Sequence, residues 1–270
     1  MNNNKRQIVK IIEEISAEKG YACNVFADGF CIEISNGENT TRVFGYQFDN
    51  ATSASMIATD KCACFELLNQ KNIPAVPHFL ILAPEKEKYV PCPIKAEDLI
   101  AKYKTLVAKP CKGTSGANIF KFSGIAEYSE VEKAIMPFSR DIALSPFLPL
   151  EREFRCLILN GTVQLIYEKI RCDSWKHNLA SGAVPVVHQI ETQREVALLG
   201  IETARTLGLD FCAVDIATCA DKNSENVEKL LVIEVNSGIM FEKFAQFSLE
   251  NYENAKNIYK KALAHFLKEE

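Results

Sequence analysis

Apolar residues first recur at helical spacing. Ile8, Ile11, Ile12 and Ile15 fall on one face and predict an opening helix. Three short β-like runs follow at 22–26, 30–35 and 41–46, separated by Asp28-Gly29 and Asn36-Gly37, pairs that favour tight turns. The first 50 residues therefore read as a small α/β piece. After Thr52-Ser53-Ala54-Ser55 a helix is expected over about 60–70, ended by Pro74 and Pro77. Residues 83–93, rich in proline and charge, read as an exposed loop. From Thr105 the pattern turns strand-rich. Strands are expected at 105–109 and 118–122, around a small-residue turn at 110–116. Two more, at 154–159 and 162–169, flank Asn160-Gly161, a strong hairpin signal. A helix over 191–207 precedes strands at 211–217 and 230–236, which the polar stretch 218–229 joins. Tyr252, Ala255, Tyr259, Ala262 and Phe266 then form one stripe of a closing amphipathic helix. The whole reads as an antiparallel α+β protein. No G-x-G-x-x-G follows a first strand, so a dinucleotide-binding doubly wound fold is not expected.

Composition narrows the class. At 270 residues the chain has room for one or two domains, divided here as 1–50 and 51–270. Hydrophobic residues at 47% and charged residues at 24% exclude wholesale disorder. With 31 Lys+Arg against 35 Asp+Glu the net charge is -4, which argues against a nucleic-acid binder or an anionic-membrane binder. No apolar run reaches the roughly 18 residues of a membrane span, and the polar start leads into no signal-type apolar core, so a cytoplasmic protein is expected. Ten scattered cysteines without C-x-x-C spacing read as small buried hydrophobes in a reducing compartment. The four histidines, His78, His177, His188 and His265, lack ligand spacing.

Three features carry chemistry. Alternation puts Phe211, Ala213, Asp215 and Ala217 on one face of their strand, and Cys212, Val214 and Ile216 on the other. On the next strand Glu234 and Asn236 share a face, opposite Leu231, Ile233 and Val235. Paired, these strands would offer two carboxylates and an amide oxygen, hard donors suited to Mg²⁺. A polar sheet face turned to water fits the same pattern. Second, Lys109 ends an apolar strand and runs into Lys112-Gly113-Thr114-Ser115-Gly116. A lysine beside a small-residue turn can hold a polyphosphate, and a plain hairpin connection uses the same residues. Third, Glu153, Arg155, Lys169, Arg171 and Lys176 crowd charge onto a hairpin and the loop after it, either a phosphate-neutralising cleft or a solvated face. A two-residue turn at Asn160-Gly161 puts Arg155 and Lys169 on opposite faces by simple alternation. Both can reach one ligand only through a bulge or strong twist.

In order along the chain, these features resemble the ATP-grasp carboxylate–amine ligases. The series runs from Asp60-Lys61 through the Lys109 strand and its glycine turn to Ser145-Pro146-Phe147-Leu148, then Glu153 and Arg155. Trp175-Lys176-His177-Asn178 follows, and Val214-Asp215 and Ile233-Glu234-Val235-Asn236-Ser237 complete it. The nearest branch holds ribosomal-protein glutamate ligases, glutathione synthetases and the cyanophycin-synthetase central domain. The resemblance runs from about Thr52 to the end of the chain. It implies two α+β subdomains clasping ATP. Lys61 and Lys109 would lie on the phosphates, Lys112, Gly113, Thr114, Ser115 and Gly116 in the mobile glycine loop, Phe147 and Leu148 at the adenine hinge, and Glu153 on ribose. Arg155 and Lys169 would be catalytic cations, with Lys176 and Asn178 in the substrate loop. Asp215, Glu234 and Asn236 would be ligands for two Mg²⁺. His177 is a base candidate by location alone.

The resemblance further implies an amide bond formed through an acylphosphate from small-molecule carboxylate and amine substrates, amino acids or peptides. A carrier- or protein-borne acceptor, and a non-catalytic ATP-binding module, stay open. A homodimer is one state open to it. Three departures stand out: Pro146 where an acid is common, Lys169 where the near branch has arginine, and Asn236-Ser237-Gly238-Ile239-Met240 in place of Asn-x-x-Pro-Gly. The last, with the short N-terminal piece, bears on the identity of the acceptor.

Overall fold

The structure, a computed structural model, describes residues 5–83, 86, 88, 94–113, 118–139, 141–172, 178–220 and 228–269. Most of the sequence-predicted loop at 83–93 falls outside them, as do Thr114, Ser115, Gly116, Trp175, Lys176 and His177.

Helix α1 (Gln7–Lys19) buries the four predicted isoleucines and stops at Gly20, whose φ of 72° ends the helix. Strands β1 (Ala22–Phe26), β2 (Cys31–Ser35) and β3 (Thr40–Phe44) form an antiparallel three-stranded sheet. Helix α2 (Thr52–Thr59) is an element the sequence did not announce. Its small, polar start carries no apolar stripe, and only Ala54 and Ala58 are buried. In α3 (Lys61–Gln70) Asp60 is the N-cap, its Oδ1 accepting from the amides of Cys62 and Ala63.

A four-stranded sheet, ordered β4-β7-β5-β6, joins β4 (Phe79–Ile81), β5 (Leu106–Pro110), β6 (Phe120–Phe122) and β7 (Ile142–Pro146). Helices α4 (Ala96–Tyr103) and α5 (Ile125–Ile135) pack on it around Leu99, Leu106, Phe122, Tyr128 and Leu144. Periodicity missed β4, β7, α4 and α5. The strands are short and β7 is buried throughout, so neither alternation nor polar punctuation marks it.

The third sheet, ordered β10-β9-β8-β11-β12, is the frame of the molecule. It comprises β8 (Leu150–Leu159), β9 (Thr162–Ile170), β10 (Val184–His188), β11 (Phe211–Ala220) and β12 (Glu228–Asn236). Asn160 and Gly161 both have positive φ, 47° and 69°, as a two-residue primed turn requires. The expected 191–207 helix begins with a 3₁₀ turn, Ile190–Gln193, and becomes α6 (Arg194–Leu207). There Gly200 lies so close to β8 that a Cβ would stand 2.8 Å from Cys156 Sγ. The stretch 218–229 is not simply a connection, because β11 and β12 both extend into it.

One face of this sheet packs Leu157, Leu165, Tyr167, Phe211 and Ala213 against α1, the N-terminal sheet, α7 (Glu242–Phe247) and α8 (Leu249–Phe266). The other packs Phe154, Cys156, Ile158, Cys212, Val214 and Ile216 against α2, α3 and α6. The expected division of β11 into an apolar and a chemical face therefore needs correction. Phe211 and Ala213, on the Asp215 side, are core, and only Asp215 on that face lines the cavity. Among the described residues five cysteines are buried as expected; Cys23, Cys31 and Cys219 are partly exposed and Cys172 is exposed, while Cys92 lies outside the described residues.

Candidate functional site

A cavity of about 240 Å³ lies between the four- and five-stranded sheets. Its floor is a row of cross-strand neighbours. Arg155 of β8 faces Asp215 of β11, and Asp215 faces Glu234 of β12; Tyr167 of β9, the cross-strand partner of Arg155, is buried in the core and does not line the cavity. Two bulges make this row. In the β8–β9 hairpin the register slips between Leu157 and Ile158, leaving Gln164 as the extra residue. That slip supplies the bulge the sequence demanded and brings Lys169 to the same side as Arg155. Between β11 and β12 the register slips after Asp215, leaving Ile233 unpaired in the ladder. Ile233 was expected on the core face with Leu231 and Val235; it instead lines the cavity, and Val232 joins Val235 in the core.

Asp215, 4% exposed, is held on three sides. Arg155 donates to both its oxygens, from Nε at 2.8 Å and Nη2 at 2.7 Å, and Lys169 Nζ lies 3.0 Å from Oδ1. Lys169 also bonds Glu153 at 2.5 Å. Burial alone would raise the Asp215 carboxyl, but the charges of Arg155 and Lys169 outweigh it and bring it down to about 2. Lys169 is pushed down by burial and by Arg155, yet Asp215 and Glu153 carry it above the usual lysine value. The depressed Asp215 stabilises the fold above the ordinary aspartate range, and that stability is lost as pH falls through about 4 toward 2. The span corresponds to about 2 kcal/mol. Denaturant unfolding at pH 7, 4 and 3 should show this acid-side loss in the wild type, with the component missing in Asp215→Asn.

On the opposite wall Lys109, next to last in β5, has 8% of its surface exposed. Burial lowers it to about 8, with Glu234 opposing. Lys61, equally buried, donates to the Gly113 carbonyl at 2.8 Å and lies 3.7 Å from Glu234. It stands beside the cavity rather than among its lining residues. Lys112 is 64% exposed and 4.0 Å from Asp60, so it too is not brought to the cavity wall. Phe147, Leu148, Glu153 and Asn178 line the cavity. The Phe147 amide donates to Thr105 O at 3.0 Å and the Leu148 carbonyl accepts from Leu150, which fixes the hinge backbone.

The profile of the RimK-like ATP-grasp domain matches residues 58–258. The chain belongs to the RimK-like ATP-grasp family. The comparison with curated proteins finds no match. Among solved structures this RimK-like chain is similar to a bifunctional glutathione synthetase from Pasteurella multocida, at 12% identity and TM-score 0.59. The match covers 96% of this chain and 44% of that one, so the chain spans less than half the synthetase. It is also similar to a D-alanine–D-alanine ligase from Bacillus anthracis, at 15% identity and TM-score 0.60 over 82% and 69%. The ATP-grasp ligase PsnB, solved with a minimal precursor, is 19% identical with TM-score 0.52 over 78% and 63%. At these identities the likeness is one of fold, and it is the ATP-grasp fold expected.

In this RimK-like site, sequence reasoning missed the apolar lining of Val76, Val107, Ile119, Leu150 and Ile233. Val107 was legible, two residues before Lys109 on the same strand face. Ile233 was not, since its position depends on the bulge. The donor set suits Mg²⁺. Asp215 and Glu234 are direct cross-strand partners, and Asn236 carries a buried side-chain nitrogen with no hydrogen-bond partner. The oxygen and nitrogen of an amide exchange by a simple flip, so that orphaned position can present an oxygen.

Proposed function

We propose that the protein is an ATP-dependent carboxylate–amine ligase that forms an amide bond through an acylphosphate and releases ADP and phosphate. The observation that supports this best is the Arg155–Asp215–Glu234 row with Lys169, set across one cavity from Lys109. Cations on both walls and carboxylates on the floor suit a polyphosphate with its counter-cation. PsnB has been solved with Mg and ADP.

In this reading the purine lies against Val76, Ile119, Leu150 and Ile233, with its edge on the backbone of Phe147 and Leu148, and Glu153 faces the ribose. Lys61 and Lys109 take the phosphates, and Lys112, Gly113, Thr114, Ser115 and Gly116 would close on them only with Lys112 moved from its place beside Asp60. Asp215, Glu234 and Asn236 would hold Mg²⁺, two ions in the proposal, which when bound neutralises phosphate charge. A substrate carboxylate oxygen attacks the γ-phosphorus, the bond to the β–γ bridging oxygen breaks, and ADP leaves. An amine then attacks the acyl carbon, phosphate departs, and the amine loses a proton. Arg155 and Lys169 stabilise the negative charge of the transferring group. To do so they must share or leave Asp215, which holds them poised in the ground state. Lys176 and Asn178 would face small-molecule acid and amine substrates. Residues 51–270 carry the site and 1–50 buttress it. A cytoplasmic location and a homodimer belong to the same proposal. Among the described residues no helix is long and apolar enough to cross a membrane.

The test is ADP release with Mg²⁺-ATP against pooled amino acids and short peptides, with product masses read directly. Substrate-dependent ADP and a new amide mass, both lost in Asp215→Asn and Glu234→Gln, is the expected result. ATP binding without turnover on any pool sinks the small-molecule reading in favour of a carrier-borne substrate or a non-catalytic module. Lys109 adds a pH dependence. Phosphate favours its charged form, so ATP affinity should hold below pH about 8 and fall above it, by up to about tenfold per pH unit until the lysine of the complex also titrates. Lys109→Arg, which stays charged, should flatten that alkaline limb.

A further inference from the structure

We infer that Asp60, Cys62 and Cys111 form a site for one soft divalent cation of the zinc class, separate from the oxygen-donor site on the sheet floor. A carboxylate oxygen of Asp60 and the two Sγ atoms all lie within 4.8 Å of one another. Among the described residues this is the one such cluster of three His, Cys, Asp or Glu side chains. Cys111 Sγ donates to Asp60 Oδ1 at 3.1 Å, and Cys62 and Cys111 pack in one buried cluster with Ala143. Two thiolates and a carboxylate match zinc's preference for sulfur with one oxygen, leaving its fourth tetrahedral position for water.

The exchange balances. One M²⁺ enters, each thiol releases one proton, and two M–S bonds and one M–O bond form. The loaded site carries a formal charge of −1, which the first turn of α3 and Lys112, 4.0 Å from Asp60 Oδ2, both favour. Cys62 and Cys111 are buried, whereas the Asp60 side chain keeps 24% of its surface and gives the ion an approach. Each thiol must lose its proton to bind the ion, so uptake competes with protons and strengthens as pH rises.

Position gives the site its consequence. Asp60 and Cys62 open α3 on either side of Lys61, and Cys111 directly follows β5, just before Lys112-Gly113. The Lys61 amide donates to Cys111 O at 3.2 Å, Asp60 and Lys112 form a β-bridge, and Lys61 Nζ holds Gly113 O. A cation here would staple the helix carrying Lys61 to the start of the glycine turn.

The decisive experiment is a Co²⁺ titration of the full chain, metal-stripped and kept reduced with a phosphine, followed by Zn²⁺ displacement. One equivalent, a sulfur-to-cobalt charge-transfer band, tetrahedral visible bands and two protons released per ion are expected. Cys62→Ser and Cys111→Ser should each weaken binding by more than about 100-fold, beyond the loss usual for an outer-shell partner. Asp60→Asn, which keeps a good N-cap, should weaken it while the helix stays folded. Asp215→Asn should bind cobalt as the wild type does, which separates this site from the proposed Mg²⁺ ligands. Absence of the thiolate band in folded, reduced wild type overturns the inference. So does uptake unchanged by either cysteine substitution. A Cys62–Cys111 disulfide in protein that takes up no cobalt once reduced would make the pair a redox element instead. If a serine variant fails to fold, proton release from the wild type and the Asp60→Asn result decide.

Discussion

Arg155→Met should lower turnover by about 10³-fold or more, the scale seen when a cation on a transferring phosphoryl group is removed. It should also cost stability, and the two losses need separating. Arg155 gives Asp215 two charge-assisted bonds in a site where the aspartate is 4% exposed. Breaking a buried pair from one side costs about 3–5 kcal/mol, reduced here because Lys169 stays 3.0 Å from the same carboxylate. Asp215→Asn alone leaves Arg155 and Lys169 sharing a buried site without their main counter-charge. The double variant removes both halves, so its stability should lie well above the sum of the single losses, a coupling of about 1–3 kcal/mol by urea unfolding. Activity should behave otherwise. The double variant lacks the proposed metal ligand Asp215 and so reads stability alone; if Arg155 acts on the phosphoryl group, Arg155→Met by itself stays inactive per folded molecule. If it only holds Asp215 in place, the single variant's defect tracks its unfolded fraction, and raising stability restores turnover. Turnover of Arg155→Met near the wild-type value once folded would remove Arg155 from the proposed mechanism.

What could be read from the chain divides along physical lines. Elements with a wide apolar stripe or strict alternation were visible: α1, α8, the N-terminal strands and the β8–β9 hairpin, each with its turn chemistry in local sequence. Helix α2 and strands β4 and β7 were not, because they are short and their burial comes from neighbours far along the chain. At the site, single strands gave the residue types, and alternation gave their faces only while the ladders stayed regular. Each bulge changed the answer: Gln164 turned Lys169 toward Arg155, and Ile233 left the core for the cavity wall. A bulge is set by the fit between two strands rather than by either alone, so one strand's sequence signals the need for it without its place. The Cys62–Cys111 contact was hidden for the same reason. The two thiols are 49 positions apart and meet only once β5 lies beside the start of α3.

Phe48→Ala should cost about 3–5 kcal/mol in a single cooperative transition, the loss typical of truncating a buried phenylalanine. Phe48 follows the N-terminal sheet and precedes α2, at the edge of the proposed 1–50 division. Its ring meets Phe211 of β11 edge-on at 5.1 Å and stacks on Tyr259 and Phe266 of α8 at 5.8 and 5.7 Å. Two residues on, Asn50 accepts from the Phe211 amide at 2.9 Å and donates to its carbonyl at 2.8 Å. The ring therefore joins the first 50 residues, the strand that carries Asp215 and the closing helix in one cluster. If those residues fold with the rest, Phe48→Ala lowers the midpoint of one transition seen alike by far-UV dichroism and by tryptophan fluorescence. ATP affinity at temperatures where the variant is folded should then stay within about twofold of wild type, since Phe48 does not line the cavity. If residues 1–50 are an independent unit, the two signals separate and the N-terminal region melts first while ATP binding persists. Asp215 lies four residues beyond Phe211 on the same face of β11. Loss of ATP affinity in the folded variant would mean that packing at the far end of that strand also sets the position of Asp215.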